Sequence, residues 1–144
     1  MIHLFDVNFL IALLDRQHMH YEAAHQWVNS IEELKWATCP LTENAFVRIT
    51  GKPSYPNWLG STAAAMQCLR ENCSQTNHAF WPDDVSLLQE AVWTNQRLIS
   101  TAHLTDLYLL ALAVKHTGKL VSFDRSIPAQ LIRGGEEALV ALEA

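Results

Sequence analysis

The sequence has little with which to gather a polyanion: ten lysines and arginines stand against fifteen aspartates and glutamates, a formal net charge of −5. A chain so balanced carries no general basic field, so any contact with nucleic acid has to be local. It also lacks an apolar run of the ~20 residues that a bilayer span needs. The apolar opening, MIHLFDVNFLIALLDR, is broken by Asp6 and Asn8 and shows neither a cationic leader nor a small-residue cleavage site, which reads against a secretion signal. Cysteines number three, Cys39, Cys68 and Cys73, an odd count with no CxxC pair. That reads against a disulfide framework and for reduced thiols in a cytoplasmic protein. His18, His20 and His25 lie close in sequence but show neither HExxH nor a Cys/His spacing, so zinc is not expected there. No internal repeat or low-complexity tract is present, and the one loop combining Gly, Pro and aromatics, GKPSYPNWLG from Gly51 to Gly60, is too short to be a domain linker.

What is there is an alternation of short apolar runs and helical patterns in a chain 49% hydrophobic and 144 residues long, enough for one domain with a sizeable core. Ile2 to Phe5 reads as a buried strand turning directly into a helix, with Asn8 either capping it, the commoner role for Asn there, or holding Asp6 in orientation. A second helix is expected from Tyr21 to about Leu34, with Ala24, Trp27, Val28 and Ile31 as its core stripe. A brief strand, WATC, precedes a third helix capped by Thr42, and Ser61 opens a fourth over STAAAMQCLRENC. The strand HAFWP follows, with Asp83 or Asp84 capping a helix from about Val85 to Leu98. Thr105 is placed to cap a buried helix, LYLLALAV, that Gly118 stops before the strand KLVSFD; the tail EEALVALEA fits a short helix or an edge strand. Strands alternating with helices predict an α/β fold: one domain over residues 1–144, with a short central parallel sheet flanked by helices.

The chemistry lies in four acids at element boundaries. Asp6, Glu43 and Asp106 fall at strand-to-helix junctions or in a helix's first turn, and Asp124 follows a strand. If the strands that carry them are neighbours, the four meet at one sheet edge, where open α/β sheets bind ligands. Carboxylates gathered without cations repel one another, so such a cluster implies a divalent ion; hard oxygen donors without organised Cys or His favour Mg²⁺ or Mn²⁺. An ion so held activates water and stabilises charge on a phosphoryl oxygen, which points to a metal-dependent nuclease.

The motifs, in order, resemble those of PIN-domain ribonucleases of the VapC type, the toxins of type II toxin–antitoxin pairs. FDVNFLIALLD is similar to the family's first motif, TENAFVRIT to its second, and HLTDLYLLALAVKHTGKLVSFDR to its third and fourth, so that the resemblance covers essentially the whole chain. It implies a PIN-like fold with Asp6 and Asp106 as principal metal ligands, Asp124 and Glu43 completing the site directly or through water, and Asn8 and Thr105 in support. It also implies Mg²⁺ or Mn²⁺, a tRNA or ribosomal RNA target, a homodimer, and a VapB-type antitoxin covering the pocket. Arg48 and Arg125, with Lys52 and Arg133, are the cations available for a local RNA patch, and Tyr55 and Trp58 could stack on bases.

Two other readings fit parts of the pattern. Asp6-Val7-Asn8 after a strand faintly resembles the haloacid-dehalogenase phosphatases, but Asn8 stands where those enzymes carry a second acid, and Arg97 and Lys115 are poorly placed to supply their lysine. A catalytically silent binding module of the same fold is the non-enzymatic alternative; the presence of all four acids speaks against a degenerate site.

Overall fold

The computed structural model describes residues 1–143. Five strands form a single sheet: β1 (Ile2–Phe5), β2 (Lys35–Thr38), β3 (His78–Phe80), β4 (Lys119–Ser122) and β5 (Leu139–Ala141), in the spatial order β3-β2-β1-β4-β5. Every pairing is parallel. From β1 the chain builds outward through β2 and β3 on one side, then returns to build β4 and β5 on the other. Its topological switch point therefore lies between β1 and β4, at whose carboxyl ends such sheets present a crevice.

Two apolar layers sandwich the sheet. On one face lie α1 (Val7–Leu14), α2 (Tyr21–Ser30), α3 (Pro40–Thr50) and α4 (Thr62–Cys73), packed around Phe5, Phe9, Trp36, Phe46 and Val121. On the other lies α5 (Leu104–Lys115), whose Leu107, Leu109, Leu110 and Leu112 join Leu4, Ala37, Cys39 and Leu120. The partition follows from strand periodicity: Leu4 and Phe5 are neighbours that point to opposite faces, as do Leu120 and Val121. Helix α5 is apolar all round because it lies inside the protein, buried from Leu109 through Ala113. A one-turn helix, α6 (Gly135–Ala138), leads into β5, so the tail forms both a short helix and an edge strand.

Several boundaries differ from the sequence reading, each for a local reason. Asn8 does not cap α1; the cap is Asp6, whose Oδ1 accepts from the Phe9 N–H at 2.7 Å, and Asn8 lies exposed on the helix. Helix α2 ends at Ser30 rather than Leu34, because the chain turns through Glu33 at a left-handed φ of 53°. Thr42 is not the N-cap of α3 either. Pro40 takes the first helical position, where its missing N–H is harmless, and sets the start earlier. Thr42 instead accepts from the Cys39 N–H at 3.0 Å across the first turn.

Helix α5 likewise begins before Thr105, with His103 at the N-cap and Thr105 exposed, although Asp106 keeps its place in the first turn. The stop after α5 is made by Thr117, at φ 55°, rather than by Gly118. Gly118 serves close approach: a Cβ there would lie 2.4 Å from the Ile2 carbonyl oxygen and 2.7 Å from the Trp81 ring. The expected helix from Val85 to Leu98 does not form; only the 3₁₀ turns Glu90–Val92 and Gln96–Leu98 do. Its backbone is committed elsewhere, Thr94 N–H to the Leu131 carbonyl and Arg133 N–H to that of Val92, both at 3.0 Å. The buried Trp93 donates its indole N–H back to the Leu87 carbonyl at 2.9 Å. Asp84 caps no helix here; it accepts from His116 Nε2 at 3.0 Å and pairs with Lys115.

Candidate active site

Phe5 pairs with Val121 in register, and the Asp6 N–H continues the ladder to the Val121 carbonyl at 3.1 Å, which brings Asp6 level with Ser122. Ser122 and Asp124, two residues apart, fall on the sheet face that packs against α5, whose first turn carries Asp106. The structure thus gathers Asp6, Asp106 and Asp124 at the carboxyl ends of β1 and β4, the switch point of the sheet, and their charges are mutually felt.

The environments of the three carboxylates differ. Asp6 is only 3% exposed, and burial pushes its pKa up to about 6, against two opposing hydrogen bonds from Ser122 and the Phe9 N–H and with added repulsion from Asp106 and Asp124. Asp106 is raised by burial and by the charge of Asp124, and lowered by His103. Asp124 is held below the ordinary carboxylate range, chiefly by Ser126, whose hydroxyl and N–H both donate to Oδ1, at 2.5 and 2.8 Å. Ser122, fully buried, accepts from the Asp124 N–H at 3.0 Å and lies beside Asp6, whose pKa its hydroxyl lowers. One hydroxyl thereby ties the two strand ends together.

Glu43 occupies the neighbouring strand end. It lies in the first turn of α3, and its Oε2 accepts from the Thr38 hydroxyl at 2.6 Å, at the end of β2. Its charge is felt by His78 and Cys73 rather than by the aspartates. Glu43 also lines a cleft of about 950 Å³ between α3 and α4 that includes Val47, Arg48, Met66 and Arg70 but none of the three aspartates. Arg48 therefore stands one turn along the same helix as Glu43, in that cleft. Arg125, beside Asp124 in sequence, pairs with Glu143 at the surface. Asn8 and Thr105 are both exposed near their acids, without capping roles.

Among the described residues, no three His, Cys, Asp or Glu side chains close around a common point tightly enough to hold a metal unaided. Nor does any of the three aspartates form an ion pair there. An uncompensated cluster of hard oxygen donors, one of them almost wholly buried, fits a divalent cation of the Mg²⁺ type, which retains several waters and needs few protein ligands. His18 and His20 contact each other, and His25 Nε2 meets the Leu13 carbonyl at 2.8 Å, so these histidines serve the fold. Sequence reasoning missed Ser122, Ser126, Thr38, His78 and His103. The run Ser122-Phe123-Asp124-Arg125-Ser126 carried a signal, since its hydroxyls flank the acid at strand spacing.

Comparison with known proteins bears on the family and the fold. The sequence matches the PIN domain family over residues 4–130. It is 42% identical over 138 residues to the Mycobacterium tuberculosis protein Ribonuclease VapC44, covering 96% of both chains. To Ribonuclease VapC39 of the same organism it is 36% identical over 136 residues, 94% of this chain and 98% of the other. The crystal structure of M. tuberculosis VapC20, titled a sarcin-ricin loop cleaving toxin, superposes with a TM-score of 0.61 at 14% identity over 91% of this chain and 99% of that one. A chain of VapBC2 from Rickettsia felis, crystallised bound to a DNA fragment from its promoter, superposes with a TM-score of 0.57 at 12% identity over 99% of this chain and 100% of that one. These two structural likenesses bear on the fold.

Proposed function

The chain belongs to the PIN-domain family, among the VapC ribonucleases, and on that premise we propose that it is the toxin of a type II toxin–antitoxin pair, an endoribonuclease dependent on Mg²⁺ or Mn²⁺. The observation that carries the reading is the convergence of Asp6, Asp106 and Asp124 at the switch point of a parallel sheet, with Asp6 buried and no cation paired to any of them among the described residues. Such a site is electrostatically unfinished until a cation binds.

In this mechanism Asp6 and Asp106 would hold the metal, with Asp124 and Glu43 completing the acidic site directly or through water. A divalent ion held there would supply a water of lowered pKa and a positive charge for the phosphoryl oxygens. The protein's part is to keep the acids fixed: Ser122 orients Asp6, Ser126 orients Asp124, and Thr38 orients Glu43. Preorganised charge of this kind needs little reorganisation as the phosphodiester is attacked. Arg48, one turn beyond Glu43, is placed to meet a backbone phosphate of the RNA. Arg125 would first have to release Glu143.

The substrate in this reading is a structured RNA, tRNA or ribosomal RNA, and the partners are a second copy of the chain and a VapB-type antitoxin that covers the acidic pocket. No helix among the described residues is long and apolar enough to cross a membrane, and we place the protein in the cytoplasm, where its RNA would be. The test is incubation of total tRNA and ribosomal RNA with purified protein in Mg²⁺, Mn²⁺ or EDTA. Discrete metal-dependent fragments, absent with Asp106→Asn, support the proposal; an Asp106→Asn variant that cuts as well as the wild type overturns it.

A further inference from the structure

The two outer acids of the site share a feature absent from the inner pair. Glu43 Oε2 accepts from the Thr38 hydroxyl at 2.6 Å, and Thr38 Oγ1 in turn lies 2.8 Å from His78 Nε2. Asp124 Oδ1 accepts from the Ser126 hydroxyl at 2.5 Å, and Ser126 Oγ lies 3.3 Å from His103 Nε2. A hydroxyl has one proton. With that proton committed to an ionised carboxylate, each hydroxyl can meet its histidine only as an acceptor, so each ring must present Nε2–H. The order of donation is then the same twice: imidazole to hydroxyl to carboxylate.

The two relays come from unrelated parts of the chain. Thr38 ends β2 and His78 opens the neighbouring β3, the imidazole lying against the Trp36 ring at a centroid distance of 4.6 Å. Ser126 belongs to the turn after β4, and His103 is the N-cap residue of α5. Thr38 is fully buried, and its hydroxyl has no water to turn to. His103 also faces Asp106 and Asp124 together.

Resting on the reading of these acids as cation ligands, we propose that His78 and His103 are positioning residues that fix Glu43 and Asp124 through the Thr38 and Ser126 hydroxyls and so set the affinity of the site for its divalent ion. Neither imidazole touches the ion. Each removes rotational freedom from a carboxylate by locking the hydroxyl that holds it, and polarises that hydroxyl toward the acid. Outer partners of this sort govern metal affinity by about 10- to 100-fold in known sites.

The experiment is Mn²⁺ binding by full-length metal-free protein, read from the loss of the free-ion electron paramagnetic resonance signal, with ring-nitrogen NMR of the same samples. His78→Ala and His103→Ala each weaken Mn²⁺ binding about tenfold, while His78→Gln and His103→Gln, which keep an N–H donor, recover most of the loss. Adding Ser126→Ala to His103→Ala costs little more than the worse single change, because both break one chain. In wild type both rings carry their proton on Nε2, and Ser126→Ala abolishes that preference at His103 alone. Unchanged Mn²⁺ affinity in both alanine variants, or a His103 tautomer indifferent to Ser126→Ala, overturns the proposal. If Asp106→Asn abolishes Mn²⁺ binding and the histidine variants leave it intact, the positioning role fails and the metal site stands. A wild type that binds no Mn²⁺ overturns both.

Discussion

Replacing Asp6 by Asn should make the metal-free protein more stable, and the size of the gain follows from the burial of that carboxylate. Its folded pKa is pushed up to about 6 from the ordinary 3.8, mainly by desolvation. At ~1.4 kcal/mol per pH unit, holding the ionised acid in that place costs about 3 kcal/mol relative to the unfolded chain. A folded pKa raised above its unfolded value contributes stability that is fully present below about pH 4 and lost as pH rises through about 6. Asparagine is neutral at both ends of that window and can still accept from the Phe9 N–H, the cap bond that Asp6 makes at 2.7 Å. At pH 8 without metal, Asp6→Asn should therefore unfold about 1–3 kcal/mol harder than wild type, a rise of roughly 3–10 °C in Tm. The difference should shrink toward zero near pH 4. Saturating Mg²⁺ should lift the wild type and leave the variant almost unmoved. Thermal melts across that pH range, with Mg²⁺ or EDTA, provide the assay. A variant less stable than wild type at pH 8 in EDTA, or a gap that does not close on acidification, would refute the reasoning.

Three further outcomes follow from the packing and the surface. Phe9, fully buried and in ring contact with Phe5, Trp27 and Phe123, should cost about 3–5 kcal/mol when cut to Ala, measured by urea denaturation. Thr117→Gly should stabilise by about 1 kcal/mol by relieving a β-branched residue at φ 55°, whereas Gly118→Ala next to it should destabilise by several times that, since its methyl meets backbone and the Trp81 ring. Arg48→Ala should raise the KM for RNA and reduce the salt slope of RNA binding by about 1, with the melting temperature unchanged; an altered kcat at constant KM would remove Arg48 from the RNA path.

The strands and the buried helix were readable because their signals are local and uniform. Ile2–Phe5 and Lys119–Ser122 were legible as apolar runs ending at an acid, and Leu107 to Val114 as a helix with no polar face. The segment from Val85 to Leu98 misled because its helix-like composition is overridden by tertiary pairing with Leu131 to Arg133, which no local window contains. The caps lie two to three residues earlier than their sequence signals for a related reason. Asn8 reads as the cap and Asp6 as a chemical acid, whereas it is the side chain of Asp6 that makes the cap bond. Positions of the three aspartates were legible from order and spacing. The hydroxyls and histidines that hold the acids were not, since Thr38 meets His78 across forty residues and His103 meets Ser126 across twenty-three.

The most direct test of the central claim is RNA cleavage by Asp6→Asn beside wild type, in Mn²⁺ and in EDTA, on protein shown by melting to be folded. If the buried aspartate is a ligand for the catalytic ion, wild type yields discrete Mn²⁺-dependent fragments while the folded and more stable variant yields none. A stable Asp6→Asn protein that cleaves at the wild-type rate would contradict the account.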